Sequence, residues 1–352
     1  MKRSSIVTCM AVLGVFLFFQ AVPARADKFA GEFLRLGVGA RALGMGEAFV
    51  AVADDASASY WNPAGLVFLP ERQILFMHAE QFGDAINHDF ISFAMPLEGQ
   101  GVLSVGVIRL GVDNIPVTSE IKPTPEEDVG SDGNPDTEDK DGTQGNGKFD
   151  PGEPFILRLH QDEILWKSDS EYAILFSYAK RVNERLSLGG NFKLITQRLL
   201  GLASSFGMGL DAGVLYEARH DFTLGMKVAD LTTTRLFWDT GARETIRPSV
   251  IPGVQFTREI PSLDGVLTGA FDVRLTFDGK DGSQFESDTV SADLRPGVEY
   301  WFRKTLAARF GASGSRITAG FGVRYGGFGA DYAFVGHEEL DNSHRVSLSV
   351  DF

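Results

Sequence analysis

The densest cluster of chemically capable side chains is acidic. Residues 126–153 hold ten carboxylates (Glu126, Glu127, Asp128, Asp132, Asp136, Glu138, Asp139, Asp141, Asp150 and Glu153) against only Lys140 and Lys148. Carboxylate oxygens set among Gly and Asn turns suit Ca2+. The run Asn146-Gly147-Lys148-Phe149-Asp150-Pro151-Gly152-Glu153 has the spacing of the end of a calcium loop, a glycine turn followed by ligands three and six residues on. Its upstream half departs from that frame, since Gly142 and Gln144 stand where acids are due. The expectation is a Ca2+ site built from Asp139, Asp141, Asn146, Asp150 and Glu153. A solvated acidic loop is the alternative.

Nucleophilic chemistry has one candidate, Ser343-His344. Neighbours in a strand point to opposite faces, so the two cannot act as a nucleophile and base pair with each other. The six histidines are scattered, with no two at metal-binding spacing on one face. A non-enzymatic protein is expected, with His344 near a membrane interface.

The chain that must position these groups has 352 residues, a net charge of -14, 43% hydrophobic residues, 40 glycines and one cysteine. Its 28 phenylalanines argue against disorder. The excess of 47 acidic over 33 basic residues argues against a nucleic-acid partner. Residues 1–26 read as a signal peptide: Lys2 and Arg3, an apolar Ile6–Val22 stretch, then the small-x-small site Ala24-Arg25-Ala26. Cys9 falls inside that stretch, so the exported chain would carry no thiol. No later stretch has the eighteen or so apolar residues of a spanning helix.

The remainder of the chain instead alternates with period two. Phe206, Met208, Leu210, Ala212, Val214 and Tyr216 oppose Ser205, Gly207, Gly209, Asp211 and Gly213. Leu186, Leu188, Phe192 and Leu194 likewise oppose Arg185, Ser187, Asn191 and Lys193. Fourteen such segments are predicted, at 73–80, 88–97, 101–110, 170–181, 184–198, 205–218, 221–231, 247–259, 264–277, 290–302, 305–313, 316–325, 328–336 and 343–352. The polar face is rich in charge of both signs and in glycine, including Lys193, Asp211, Lys227, Asp272, Arg295, Glu299, Arg309, Asp331 and Arg345. A soluble sandwich would bury the apolar face. A transmembrane barrel turns it toward lipid and encloses the polar one. An even strand count with both ends in the periplasm fits a closed antiparallel barrel in the outer membrane, all-β, with outer-membrane lipid as its surroundings. The alternating strand ending at Phe352 reads as the C-terminal barrel signal.

Two segments break the pattern. Residues 27–70 are rich in Gly and Ala and end in Asn62-Pro63-Ala64-Gly65. They lack the preceding strand of a dinucleotide-binding turn and read as a plug folded inside the barrel 71–352. Residues 111–168 form the longest inter-strand stretch and carry the acidic run, on the external side.

The run Gly39-Ala40-Arg41-Ala42-Leu43-Gly44-Met45-Gly46-Glu47-Ala48-Phe49-Val50-Ala51, then Asp54-Asp55 and Trp61-Asn62-Pro63-Ala64-Gly65-Leu66, resembles the N-terminus of the PorV/PorQ family of outer-membrane proteins. Arg295-Pro296-Gly297-Val298-Glu299-Tyr300-Trp301, Asp331-Tyr332-Ala333-Phe334 and Asn342-Ser343-His344-Arg345-Val346-Ser347-Leu348 resemble its closing strands. Asn62 to Gly65 are shared with the wider FadL-like barrel superfamily. The resemblance implies a fourteen-stranded barrel with a lumen plug. It also implies an accessory of type IX secretion, receiving cargo C-terminal domains beside the translocon. The alternative is a FadL-like transporter, whose plug shifts to pass a hydrophobic small molecule toward a lateral opening.

The calcium expectation is checked by titration calorimetry of the acidic loop, where binding heat at up to millimolar Ca2+ is expected and its absence leaves only the solvated loop.

Overall fold

A computed structural model describes residues 31–81, 85–118, 164–277, 283–287, 289–336 and 342–352. Residues 1–26, with the expected signal peptide, and the five expected calcium ligands lie outside them. Among the described residues one sheet contains β1 (Gln73–Gln81), β2 (Ile86–Leu97), β3 (Gly101–Thr118), β4 (Ile164–Arg181), β5 (Leu186–Leu199), β6 (Ala203–Arg219) and β7 (Phe222–Ala229). It continues through β8 (Thr234–Trp238), β9 (Arg243–Ile246), β10 (Ser249–Ile260), β11 (Gly265–Thr276), β12 (Phe285–Glu286) and β13 (Ser291–Phe302). β14 (Leu306–Ser313), β15 (Arg316–Tyr325), β16 (Phe328–Val335) and β17 (Ser343–Asp351) complete it.

Every wall strand is antiparallel to its neighbours, and β17 pairs with β1 from Gln73↔Asp351 to Glu80↔His344. The wall is therefore a closed barrel of fourteen strands. β8, β9 and β12 are additions to it. Closure pairs each wall strand on both sides, the condition a sheet must meet in hydrocarbon. The periodicity set the faces as expected. In β17, Ser343, Arg345, Ser347 and Ser349 are buried in the lumen while His344, Val346 and Leu348 are exposed. His344 meets the hydroxyl of Tyr332 on that outer surface at 2.6 Å, so Ser343 and His344 do face apart.

Strand lengths give the barrel a sloping rim. β14 to β17 have eight to ten residues, about one tilted span, whereas β3, β4 and β6 have 17 or 18. The short turns join the strands on the periplasmic side and the long connections face outward. β3 and β4 accordingly take in 111–118 and 164–168, which the sequence pattern assigned to the external loop. On the outer surface His78, Asp89 and Arg109 bond across β1, β2 and β3 at 2.7 and 3.0 Å, a polar band near the outer ends of these strands.

The β8–β9 hairpin was not anticipated. Residues 232–246 are too short and too turn-rich to register as a span. Asp230 and Thr233 take positive φ, which kinks the chain inward after β7. Thr234 and Leu236 then lean over Gly209 and Gly207 of β6 and become fully buried.

The plug lies directly on the wall. A Cβ at Gly297 or Gly311 would overlap the backbone of Met45, and one at Gly189 would overlap Pro63 and Ala64. These glycines admit backbone-to-backbone contact that any side chain forbids. Replacing Gly311 with Leu should leave a heat-modifiable barrel but destabilise the plug by about 1–3 kcal/mol. Limited proteolysis with the barrel intact measures this, and cleavage of the plug no faster than in the wild type would count against the packing.

Candidate functional site

The site is the filled lumen. Its occupant is residues 31–70: a 3-10 turn at Glu32–Arg35, α1 (Ala40–Gly44), α2 (Ala58–Trp61) and a second 3-10 turn at Pro63–Phe68. Such short elements leave many backbone groups without internal partners, and wall side chains supply them. One oxygen of Asp272 accepts from Phe49 N and Val50 N, both at 2.8 Å. Ser347 Oγ accepts from Ala40 N at 2.8 Å, Gln73 Oε1 accepts from Ala56 N at 2.6 Å, and Asn191 donates to Ser59 O at 2.7 Å. Lys227 donates to the Tyr60 carbonyl.

Asn62 to Gly65 form the corner of the plug. The Asn62 oxygen accepts from Ala64 N at 3.2 Å, with Pro63 opening the 3-10 turn. Its amide donates to Val50 O at 2.8 Å and to Val214 O of β6 at 3.1 Å, tying plug loop and wall together. Gly65 passes so close to the Ala53 carbonyl that no side chain fits there.

Ion pairs fasten the other end. Arg41 donates to both oxygens of Glu299 at 2.9 and 2.8 Å and also pairs with Asp54 and Asp55. Glu299 is shared with Arg309 at 2.6 Å, Arg309 reaches Asp331 at 2.8 Å, and Asp331 pairs with Arg324 at 2.7 Å. A second cluster joins Glu47 to Arg295 at 2.8 Å and Arg316 at 3.2 Å. Burial pushes the Glu47 carboxyl up, but these guanidiniums outweigh it and hold the group below the usual carboxylate range. Lys193 bridges Asp211 and Asp230 at 3.0 and 2.8 Å.

One sector of the inner wall is different. Phe90, Ile108, Leu175, Ile195, Leu236 and Ile246 turn into the lumen from β2, β3, β4, β5, β8 and β9 and are buried. Phe33 of the first 3-10 turn belongs to the same buried cluster, Leu34 borders Ile108, Leu175 and Ile246, and the Tyr60 hydroxyl donates to Leu34 O at 2.7 Å. The space left between Leu34, Ile108, Leu175, Ile246 and the Lys193–Asp211 pair is about 40 Å³, room for one water. Where the plug leaves the barrel, a cleft of about 600 Å³ with mixed lining opens among Leu69, Glu71, Arg72, Leu97, Lys180 and Phe352. The alternation pattern sent all apolar faces outward and missed this sector. Its signal was Ile108, Leu175 and Ile195 standing in phase with Ser104, Ser177 and Lys193.

Phe352 stacks on Phe93, ring centres 6.4 Å apart, and exchanges backbone hydrogen bonds with Arg72. No group of three or more His, Cys, Asp or Glu residues placed to hold a metal occurs among the described residues. Replacing Arg41 with Met leaves Asp54 and Asp55 without their cation. The cost should fall toward the lower end of about 3–5 kcal/mol, because Arg309 stays on Glu299. In planar bilayers the variant should show frequent openings above the wild-type level, and a trace matching the wild type would refute the latch.

No family model and no curated protein matches the chain. Its fold is similar to solved outer-membrane barrels. The toluene transporter TodX of Pseudomonas putida aligns at 13% identity with a TM-score of 0.55, covering 90% of this chain and 99% of that one. The toluene transporter TbuX of Ralstonia pickettii aligns at 11% identity and 0.53, covering 90% and 98%. A FadL homologue of Pseudomonas aeruginosa aligns at 11% identity and 0.48. At these identities the likeness is one of fold: the chain is a closed, fourteen-stranded outer-membrane β-barrel similar in architecture to these proteins.

Proposed function

We propose that this protein is a non-enzymatic conduit carrying hydrophobic small molecules across the outer membrane. The observation behind the reading is the apolar sector of the lumen. A water-filled pore has a polar lining. Here six large apolar side chains face inward where lipid never reaches them, in one buried cluster with Phe33 and with Leu34, which borders Ile108, Leu175 and Ile246. Withdrawal of that turn would expose apolar surface inside a barrel whose wall elsewhere carries many buried polar and ion-paired side chains. Transfer onto such a surface is favourable by roughly 25 cal/mol per Å² of apolar surface removed from water. The likeness to two toluene transporters supports the same reading at the level of fold. The secretion role implied by the PorV/PorQ resemblance, with its translocon and cargo partners, has no comparable feature among the described residues in its favour.

Toluene uptake tests the proposal. Cells carrying the barrel should take up radiolabelled toluene faster than cells lacking it. Ile108→Asp, which places a carboxylate in that surface, should remove most of that gain while heat-modifiable migration persists. Uptake that is independent of the barrel would sink the conduit reading.

A further inference from the structure

The inner wall carries a guanidinium that the residues around it do not neutralise. Arg345 of β17 is the largest of the wholly buried side chains, and no carboxylate among the described residues makes an ion pair with it. Its Nη1 donates to His88 Nδ1 at 3.1 Å, and a ring nitrogen that accepts a hydrogen bond carries no charge to offer. Arginine cannot shed its proton to escape burial as a lysine can. A guanidinium held out of water without a counter-charge is strongly disfavoured.

The field around Arg345 deepens the shortage. Glu47 is in contact with Arg295 and Arg316 and feels Arg274 and Arg345 as well. Asp272 acts on Arg295 from the wall. Four guanidiniums therefore share two carboxylates, which leaves positive charge in excess in this part of the lumen.

Unpartnered hydrogen-bonding groups collect at the same place. Gln81, His88, Ser343 and Arg345 are 4%, 0%, 1% and 2% exposed, and each keeps one buried polar atom without a partner: Gln81 Nε2, His88 Nε2, Ser343 Oγ and Arg345 Nε. All four can donate. The guanidinium has only donors, so His88 Nδ1 is the acceptor of their bond and the ring proton sits on Nε2. Buried polar groups are ordinarily bonded, and a set of orphans made up of donors calls for something that only accepts.

Strand register gathers the four. Ala79 of β1 stands directly opposite Arg345 on one side and His88 on the other. Its methyl group lets the two long side chains meet over it, and Ala333 gives Arg345 the same room on the β16 side. Gln81 and Ser343 lie two residues from Ala79 and Arg345 on the same inner face, roughly 7 Å toward the outer end. Four donors and one uncompensated charge thus occupy two rungs of three adjacent strands.

We propose that Gln81, His88, Ser343 and Arg345 form a binding site for a small monovalent anion of the chloride class, enclosed in the outer part of the lumen. N–H and O–H donors suit a halide, one negative charge matches one guanidinium, and enclosure excludes bulky anions. Water could satisfy the donors but would leave the charge unmatched. The site stands apart from the apolar sector and is independent of what the barrel carries.

Bromide, a halide visible by anomalous scattering, tests the site. Crystals of the whole barrel exchanged into sodium bromide should show an anomalous peak against Arg345 Nε and His88 Nε2. In detergent, the temperature of the heat-modifiable shift should be higher in sodium chloride than in sodium gluconate of equal ionic strength, since a ligand that binds only the folded state stabilises it. Arg345→Met has no charge to match and should lose that difference. Ser343→Ala keeps the charge and removes one donor, so it should need roughly three- to tenfold more chloride for the same rise. Arg303→Gln removes an exposed cation paired with Asp264 and should behave as the wild type. If Arg345→Met does not fold, Ser343→Ala decides. A bromide map without a peak there, or equal shift temperatures in chloride and gluconate, would overturn the site and leave water as the partner of these donors.

Discussion

The structure depends on a demand made by its own plug. A segment of forty residues with only short helical turns is packed where there is little water, and its backbone donors and acceptors still require partners. The wall meets that demand with side chains aimed inward: Asp272 for two successive N–H groups, Ser347, Gln73 and Asn191 for single ones, Lys227 for a carbonyl. Where no side chain is needed, the wall carries glycine and the two backbones touch. The polar face of each strand is therefore as specific as a protein core, although it is made of serine, charge and glycine.

Charge follows from the same enclosure. A buried ion without its partner costs several kcal/mol, so the lumen ions occur in clusters that cross from wall to plug. Arg41 and Glu47 are plug residues that reach the wall: Arg41 sits on Glu299 of β13, and Glu47 on Arg295 of β13 and Arg316 of β15. Those two contacts fix the half of the plug that covers the charged wall. Phe33, Leu34 and Tyr60 instead belong with the apolar sector of β2 to β5. Ion pairs need defined geometry to be favourable, whereas apolar contact does not.

Much of this architecture was legible from periodicity. The fourteen spans, their polarity and the existence of a plug follow from alternation and from a Gly/Ala-rich stretch with no strand pattern. The β8–β9 hairpin was not legible, because five and four residues between turns carry too little periodicity. The extended outer ends of β3 and β4 escaped for a related reason: above the membrane no lipid enforces the alternation. The apolar sector escaped because Ile108, Leu175 and Ile195 are isolated apolar residues in otherwise polar phases, and only closure of the barrel gathers them into one surface.

Sequence alone determined which residues face which way, since a period of two leaves each strand only two orientations and lipid decides between them. It also determined that charge of both signs would be enclosed. Which charges meet, only the closed barrel decided. Arg41 and Glu299 are 258 positions apart and become partners through the register of fourteen strands and the path of the plug. Long-range register has no local signature, because it is set by the sum of all pairings around the ring.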